Sequence, residues 1–427
     1  MVLTTFGLMA LFLIIGVPLA VTFGLVIFLL MGGYGLSVAG LSGIPYEDVS
    51  SYALVAIPLF MLTGNLMNRT GLATELIALS DLFLRRVRAA FGYITVMASA
   101  LMGAITGSSV ATVAAVGGIV SPEMQRRGYP RGYIASLAAS AGLLGVLMPP
   151  SIPLILYGAT VGVSVTQLFI ATLVPALMMS MLFLIVHNRL SRRVLPGGVE
   201  AVAPLARHQA STRSILTGSI PALLLPVIIL GGFYGGIFTP TEAAAVGCAY
   251  AIVIPMLRRK LTRHDLKLSF RTAAITGSGI LIIIAMTGIF NRAMVLHEVP
   301  QQIALWVATY IESPIAFLLT VNVVLLVVGT FMETNASVLL MGPLLAPAAQ
   351  SFGIDPVHFG IVLATNLELG LLTPPMAANL YVAARAADCR LGDMMKHLGW
   401  FFLAAQAGPQ LVTIVAERTQ WAPQRSR

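Results

Sequence analysis

A chain of 427 residues would make roughly two or three soluble domains, but 58% of its residues are apolar and only 10% charged, against roughly 45–50% and about 25% in soluble globular proteins. A mean hydropathy of +0.92 agrees that the apolar excess faces lipid; this excludes a soluble enzyme or binding module and leaves room for about ten to twelve spans of about 20 residues. The formal charge of +9 is read as cytoplasmic loop charge, not as a footprint for nucleic acid.

In chain order, apolar runs bounded by polar breaks predict spans at 2–15, 18–31, 52–67, 133–160 and 167–187. The second half offers 215–234, 242–257, 272–291, 358–383 and 398–415. The fold class is an all-α polytopic membrane protein. The N-terminus lacks the basic n-region of a cleaved signal peptide, so its first apolar run is expected to stay as a span. Cys248 and Cys389 form no pair or metal spacing, and the histidines are scattered.

Two apolar stretches, 91–120 and 315–349, do not fit single spans. The first is flanked by Arg85, Arg86 and Arg88 and by Arg126, Arg127 and Arg131. One helix of that length would be about 45 Å long, well beyond a core of about 30 Å, while two full spans need about 40 residues. Its middle, Ala104-Ile105-Thr106-Gly107-Ser108-Ser109, is a polar turn. A re-entrant hairpin is expected, entering and leaving on one side. With the N-terminus outside, all of the 25 basic residues except Arg292, Arg418, Arg425 and Arg427 then fall in inner loops, as the positive-inside rule requires.

The halves share a signature. Gly145-Val146-Leu147-Met148-Pro149-Pro150 matches Gly370-Leu371-Leu372-Thr373-Pro374-Pro375 as G-x-L-x-P-P, offset by 225 residues. The same offset carries Gly107-Ser108-Ser109 onto Met332-Glu333-Thr334. Each half reads as three spans, a polar-tipped hairpin, a span broken at Pro-Pro and a final span. Five full crossings is an odd number, so the second copy is inverted. The expected domains are a first repeat at 1–190, with hairpin 91–120 and broken helix 133–160, and a cytoplasmic loop at 191–214. A second repeat at 215–418 follows, with hairpin 315–349 and broken helix 358–383, and then a polar tail at 419–427. Inverted repeats with broken helices are the architecture of secondary transporters: N–H groups freed at a break hold anions and free carbonyls hold cations. Tandem prolines remove two donors and restrict the residue before them. The bland alternative is a kink that serves packing.

Few acids lie in apolar runs. Glu242, in Thr239-Pro240-Thr241-Glu242, fits a capping box. Glu333 at the second tip is a candidate for ion or substrate binding, against a capping or scaffold role. Glu368, just before the second break, is open between a coupling role and packing. Ser108, Ser109, Thr106, Thr334, Asn335, Thr373 and Asn366 supply neutral oxygens, which suit Na⁺ better than a soft metal. Substrate contacts are expected from Ser108, Ser109, Thr334, Asn335, Asn366 and Pro375. No basic residue lies in either hairpin, so an anionic substrate depends on helix N-termini or bound cations. Segments 72–84 and 299–311 precede the hairpins in matching order and read as amphipathic helices at the interface, placed to brace a moving domain against a fixed one.

The runs Ala98-Ser99-Ala100-Leu101-Met102-Gly103-Ala104-Ile105-Thr106-Gly107-Ser108-Ser109, Pro149-Pro150-Ser151-Ile152-Pro153 and Gly236-Ile237-Phe238-Thr239-Pro240-Thr241-Glu242 resemble the large membrane subunit of tripartite ATP-independent periplasmic (TRAP) transporters. So do Gly353-Ile354-Asp355-Pro356 and Gly370-Leu371-Leu372-Thr373-Pro374-Pro375. The resemblance covers essentially the whole chain. It implies an inverted-repeat, elevator-type transporter of about ten transmembrane helices plus two hairpins, in the bacterial inner membrane. Its implied partners are a small four-helix membrane subunit and a periplasmic binding protein that delivers an organic acid. Inward Na⁺ flux is the implied driving force, with no other cofactor. By position, the implied sodium ligands are Gly107, Ser108, Ser109, Gly145, Pro149 and Pro150, and in the second half Met332, Glu333, Thr334, Gly370, Thr373 and Pro374. Relatives often carry an acid where Thr112 stands and Asp where Glu333 stands.

A stand-alone carboxylate transporter or ion antiporter shares the same physics. A membrane enzyme is disfavoured, because no nucleophile–base pair, metal cluster or nucleotide fingerprint is visible.

Overall fold

The computed structural model describes residues 2–34, 43–84, 87–195 and 212–419. Most of the loop expected at 191–214, nearly all of the polar tail, and Arg85 and Arg86 lie outside the described residues, which are helical and carry no strand. The first half contains α1 (Val2–Ile14), α2 (Leu19–Tyr34), α3 (Ile44–Val49), α4 (Ala56–Arg69) and α5 (Leu72–Leu84). It continues with α6 (Ala90–Thr106), α7 (Ser109–Arg126), α8 (Arg131–Gly142), α9 (Leu144–Leu147), α10 (Ile152–Val161) and α11 (Val165–Val194). The second contains α12 (Thr212–Tyr234), α13 (Pro240–Leu257), α14 (Arg263–Leu296) and α15 (Val299–Tyr310). Then come α16 (Pro314–Phe331), α17 (Thr334–Ser351), α18 (Pro356–Gly370), α19 (Ala378–Ala387) and α20 (Leu391–Thr419). The starts of α6, α7, α8 and α11 recur in α16, α17, α18 and α20 at a shift of 225 residues, to within one.

Among the described residues, six segments are long and apolar enough to cross a membrane, and α6 and 19–29 are shorter apolar helices. The helices overrun the apolar runs wherever a polar residue caps or pairs. Thr262 accepts the Asp265 N–H at 3.0 Å, so α14 starts nine residues before the expected 272. At the end of the first hairpin, Glu123 pairs with Arg127 at 3.1 Å, and the Arg127 guanidinium lies 4.0 Å from the Phe91 ring centroid. These contacts carry α7 past the expected residue 120 and tie its end to the start of α6. The expected capping box forms: Thr239 accepts from the Glu242 N–H, and Glu242 accepts from the Thr239 N–H at 2.8 Å.

The helices pack as two groups. One contains α2, α4, α12, α13 and α14; the other contains both hairpins, the broken helices, α11 and α20. The broken helix 131–161 is the centre of the second group, since its most apolar window is 94% buried, against 33–39% for the other five candidate spans. Those five keep a wide lipid-facing side.

α5 joins the groups: it packs on α12 and on α6. Glu75 on α5 pairs with Arg258 at 2.8 Å and with Lys260, both at the end of α13, and Ser219 on α12 donates to the Glu75 carbonyl at 2.9 Å. Most of α5 is buried, whereas α15, its counterpart, buries only Val299 and Pro300 and leaves Trp306 and Tyr310 exposed. On the hairpin side of α5, the fully buried His187 of α11 contacts the Tyr133 hydroxyl at 2.6 Å through Nδ1 and the Ala89 carbonyl at 2.9 Å through Nε2. A carbonyl only accepts, so Nε2 carries the proton and Tyr133 donates to Nδ1. This bond set fixes the entrance of the first hairpin to α8 and α11.

Candidate functional site

Each hairpin turns in two residues. At the first tip, α6 closes on Gly107 in the left-handed region at φ +61°, a conformation that favours glycine, and the extended Ser108 opens α7 as its N-cap. Thr112 donates to the Ser108 carbonyl at 2.9 Å and lies 2.9 Å from the Thr106 hydroxyl, which locks the turn. At the second tip, Met332 and Glu333 are both extended and Glu333 is the N-cap of α17. Its carboxylate accepts the Ala336 N–H at 3.3 Å and the Asn335 side-chain amide. Glu333 is thus a helix cap, the alternative left open by sequence. Ser108 does the same in the first repeat through a hydroxyl.

Each tip is clamped to the break of its own repeat. The Ile152 N–H donates to the Gly107 carbonyl at 3.2 Å, and the Met376 N–H to the Thr330 carbonyl at 2.9 Å. Both Pro149-Pro150 and Pro374-Pro375 are cis. These clamps set the depth of the tips. α10 and α19 each run on for ten residues beyond the clamp, roughly 15 Å at 1.5 Å per residue, so each tip stops well short of the far face. By length and composition alone α16 is a candidate span; its bond to the second break makes it a hairpin arm. Close backbone approach completes the joint. A side chain on Gly145 would meet the Ser108 carbonyl oxygen at 2.6 Å, and one on Gly370 would run into the backbone of Gly329.

Both tips face one cleft of about 930 Å³ between the two helix groups. Thr106, Ser108, Met332, Glu333 and Asn335 line it from the hairpins, and Asn65, Asn68 and Thr276 from α4 and α14. Asn68 precedes Arg69 at the end of α4, and Thr276 lies in the half of α14 that starts at Arg263, so the cleft lies on the basic, inner side. A second cleft of about 640 Å³ lies toward the other end of α14, lined by Asp48, Thr160, Asn291 and Arg292. The two breaks differ: Pro149 and Pro150 are buried beside Phe60, Phe233 and Ala243 of the first helix group, while Pro374 and Pro375 are exposed.

Not every residue expected at the site reaches the cleft. Ser109 and Thr334 are buried behind the tips, Gly145 and Gly370 serve as backbone joints, and Thr373 is half-buried with its hydroxyl 3.5 Å from the Leu369 carbonyl. Asn366 is fully buried and donates to Asn322 at 2.8 Å and to the Val362 carbonyl at 2.7 Å, so it meets a hairpin arm and not the cleft. Pro375 does not line the cleft, though Met376 beside it does. Sequence reasoning missed Asn65, Asn68 and Thr276; the amides at the end of an apolar run were the available signal. It also missed Asn322, a lone amide in the apolar arm α16.

The ligand chemistry is all oxygen. Thr334 Oγ1, Asn335 Oδ1 and Glu368 Oε2 are buried atoms without a hydrogen bond, and an oxygen set suits a hard cation. Among the described residues, no group of three His, Cys, Asp or Glu side chains gathers as for a transition metal.

Comparison with known proteins decides the class. The family model described as "Tripartite ATP-independent periplasmic transporter, DctM component" matches residues 6–417. The chain belongs to this family. It is similar to the C4-dicarboxylate TRAP transporter large permease protein DctM of Pseudomonas aeruginosa, 39% identical over 84% of this chain and 83% of that protein. It is also similar to the isethionate TRAP transporter permease protein DctMQ of Oleidesulfovibrio alaskensis, 35% identical over 92% of this chain and 61% of that one. The 2,3-diketo-L-gulonate TRAP transporter large permease protein YiaN of Escherichia coli is 34% identical over 82% and 81%. Two solved transporters share the fold: YdaH of Alcanivorax borkumensis (TM-score 0.62, 17% identity, 90% of this chain and 88% of that one) and MtrF of Neisseria gonorrhoeae (0.59, 13%, 88% and 85%). As a TRAP large permease the chain is a multi-pass inner-membrane component of a tripartite transporter, and not an enzyme.

Proposed function

We propose that this permease takes up an organic acid handed over by a periplasmic binding protein, coupled to inward Na⁺ movement, with the hairpin group moving as an elevator against the other group. The observation that carries the reading is the shared cleft: two tips from inverted repeats meet at one inner cavity, with the first break covered and the second exposed. That asymmetry is what one end of an alternating-access cycle looks like. Relatives named for C4-dicarboxylate, isethionate and 2,3-diketo-L-gulonate support an anionic substrate. The cleft-lining groups from both tips are neutral apart from Glu333, so an anion entering beside that carboxylate calls for a bound cation.

In this reading Na⁺ takes oxygens of Gly107, Ser108, Ser109, Gly145, Pro149 and Pro150 on one side. On the other it takes those of Met332, Glu333, Thr334, Gly370, Thr373 and Pro374. The substrate meets Ser108 and Asn335 in the cleft, with the N-termini of α7 and α17 supplying partial positive charge. A small four-helix subunit joins α12, α13 and α14; the relative DctMQ, of which this chain spans 61%, supports such an attachment. The test is uptake into proteoliposomes with candidate binding proteins, with and without an inward Na⁺ gradient. Uptake indifferent to Na⁺ overturns the coupling, and uptake without any binding protein overturns the delivery step.

A further inference from the structure

Two corners meet at the inner end of the hairpin group. The α7–α8 corner of the first repeat and the α19–α20 corner of the second line one cavity of about 780 Å³. Bonds between the corners hold its walls. Gln125 donates to the Ala387 carbonyl at 2.8 Å, and Arg131 donates to the Asp388 carbonyl at 2.9 Å and to its carboxylate at 2.7 Å. Ser136 donates to the Met394 carbonyl at 2.9 Å. A side chain on Gly132 would meet the Asp393 carbonyl oxygen at 2.2 Å, so the two backbones touch there. The concavity is therefore built into the packing of one repeat on the other.

The cavity carries an excess of positive charge. Arg131, Arg390 and Lys396 line it against Asp388 and Asp393. Arg131 is matched by Asp388, and Asp393 is engaged as a cap, accepting the Arg390 N–H at 3.2 Å. Among the described residues the side chains of Arg390 and Lys396 make no ion pair, and both are exposed. Lys396 also sets the cavity at the lipid boundary. Lys396, Trp400 and Leu403 stand at i, i+4 and i+7 on α20 and are all exposed, so they form one outward stripe. Beyond its lysine the stripe is apolar, and tryptophan is a residue type enriched at the headgroup level. A basic pocket between membrane helices on the inner side suits an anionic headgroup. We propose that this cavity binds one anionic phospholipid, with the headgroup phosphate between Arg390 and Lys396 and the acyl chains along Trp400 and Leu403. The site lies apart from both tips and is independent of the sodium-coupled reading. A lipid held there bridges the inner corners of the two repeats and stabilises the hairpin group.

The experiment titrates phosphatidylglycerol into the detergent-purified chain, with phosphatidylcholine as the neutral control, and follows bound lipid by native mass spectrometry and Tm. Wild type is expected to hold one phosphatidylglycerol per chain in preference to phosphatidylcholine, and to gain Tm on binding it. Each basic residue near an anionic lipid contributes roughly fivefold in affinity. Arg390→Gln combined with Lys396→Gln should therefore raise the half-saturating lipid concentration about twentyfold. Arg263→Gln combined with Lys267→Gln removes the same charge from exposed positions at the inner end of α14 and should leave that concentration unchanged. Lys396→Glu alone serves if the first pair fails to fold. An equal loss in both pairs, or none in the first, overturns the site. Inorganic phosphate that displaces the lipid at the same concentration overturns the lipid as its ligand.

Discussion

Asn291 on α14 donates its side-chain amide to the Leu339 carbonyl on α17 at 3.1 Å. This bond crosses from one helix group to the other beside the second cleft, and in the proposed alternating-access cycle it latches the arrangement seen here. One such hydrogen bond contributes about 0.5–1.5 kcal/mol, worth severalfold in an equilibrium. Asn291→Ala is expected to raise the outward-open population severalfold. Thiol labelling of Thr160→Cys, a residue of the same cleft, should speed up from the outside; an unchanged rate means that the latch carries no load.

The hairpin reading fixes sidedness. Arg88 and Arg126 flank the first hairpin, and both side chains are exposed. Single cysteines at the two positions are expected to react only from the inner compartment, and reaction from opposite sides would turn the hairpin into two crossings. The background is low, because burial pushes the Cys389 thiol up from its usual range, leaving little of the reactive thiolate at neutral pH; Cys248 is buried.

Cap and charge are separable at Glu333. Glu333→Gln keeps an acceptor oxygen for the Ala336 N–H, so thermal stability should hold while Na⁺-driven uptake is lost. Glu333→Ala removes the cap too and should cost a further ~1 kcal/mol, read as a lower Tm of the purified protein. Full uptake by Glu333→Gln would leave the residue as a cap alone.

Gly370 tests the joint between hairpin and break. A methyl group there meets the Gly329 backbone, which cannot yield as a side chain would. Gly370→Ala is expected to destabilise by about 1–3 kcal/mol and to lower uptake. The control is Gly118→Ala on α7, where a Cβ meets nothing within 4 Å.

Much of the fold was legible because membrane depth leaves few choices. Runs of apolar residues become helices, and the arginines flanking 91–120 already demanded a return to the same side. The repeat was legible from G-x-L-x-P-P because Gly and Pro act through the backbone. Glu242 was legible because its capping box is local. The side of Glu333 was not: whether a carboxylate caps its own helix or faces a cavity depends on where the chain turns. Asn366 was misjudged for a related reason, since its partner Asn322 lies 44 residues away on another helix. The tips' side of the cleft was read from sequence but its facing wall was not, because Asn65, Asn68 and Thr276 meet the tips only when distant helices pack. α14 overran its apolar run because its first turns are held by a cap and not by lipid.

A proline has no N–H to leave bare. Any irregular segment that slides from a packed surface toward a cavity must repeatedly exchange the partners of its amide groups, and each unmet one costs several kcal/mol in an apolar setting. In the Pro149-Pro150 and Pro374-Pro375 segments two of the donors are absent, and the N–H groups of Ile152 and Met376 are bonded to acceptors in the hairpin of their own repeat. In the elevator stroke proposed above, the break would carry these hydrogen bonds along. On that reading the tandem prolines supply low sliding friction as well as a place for a ligand.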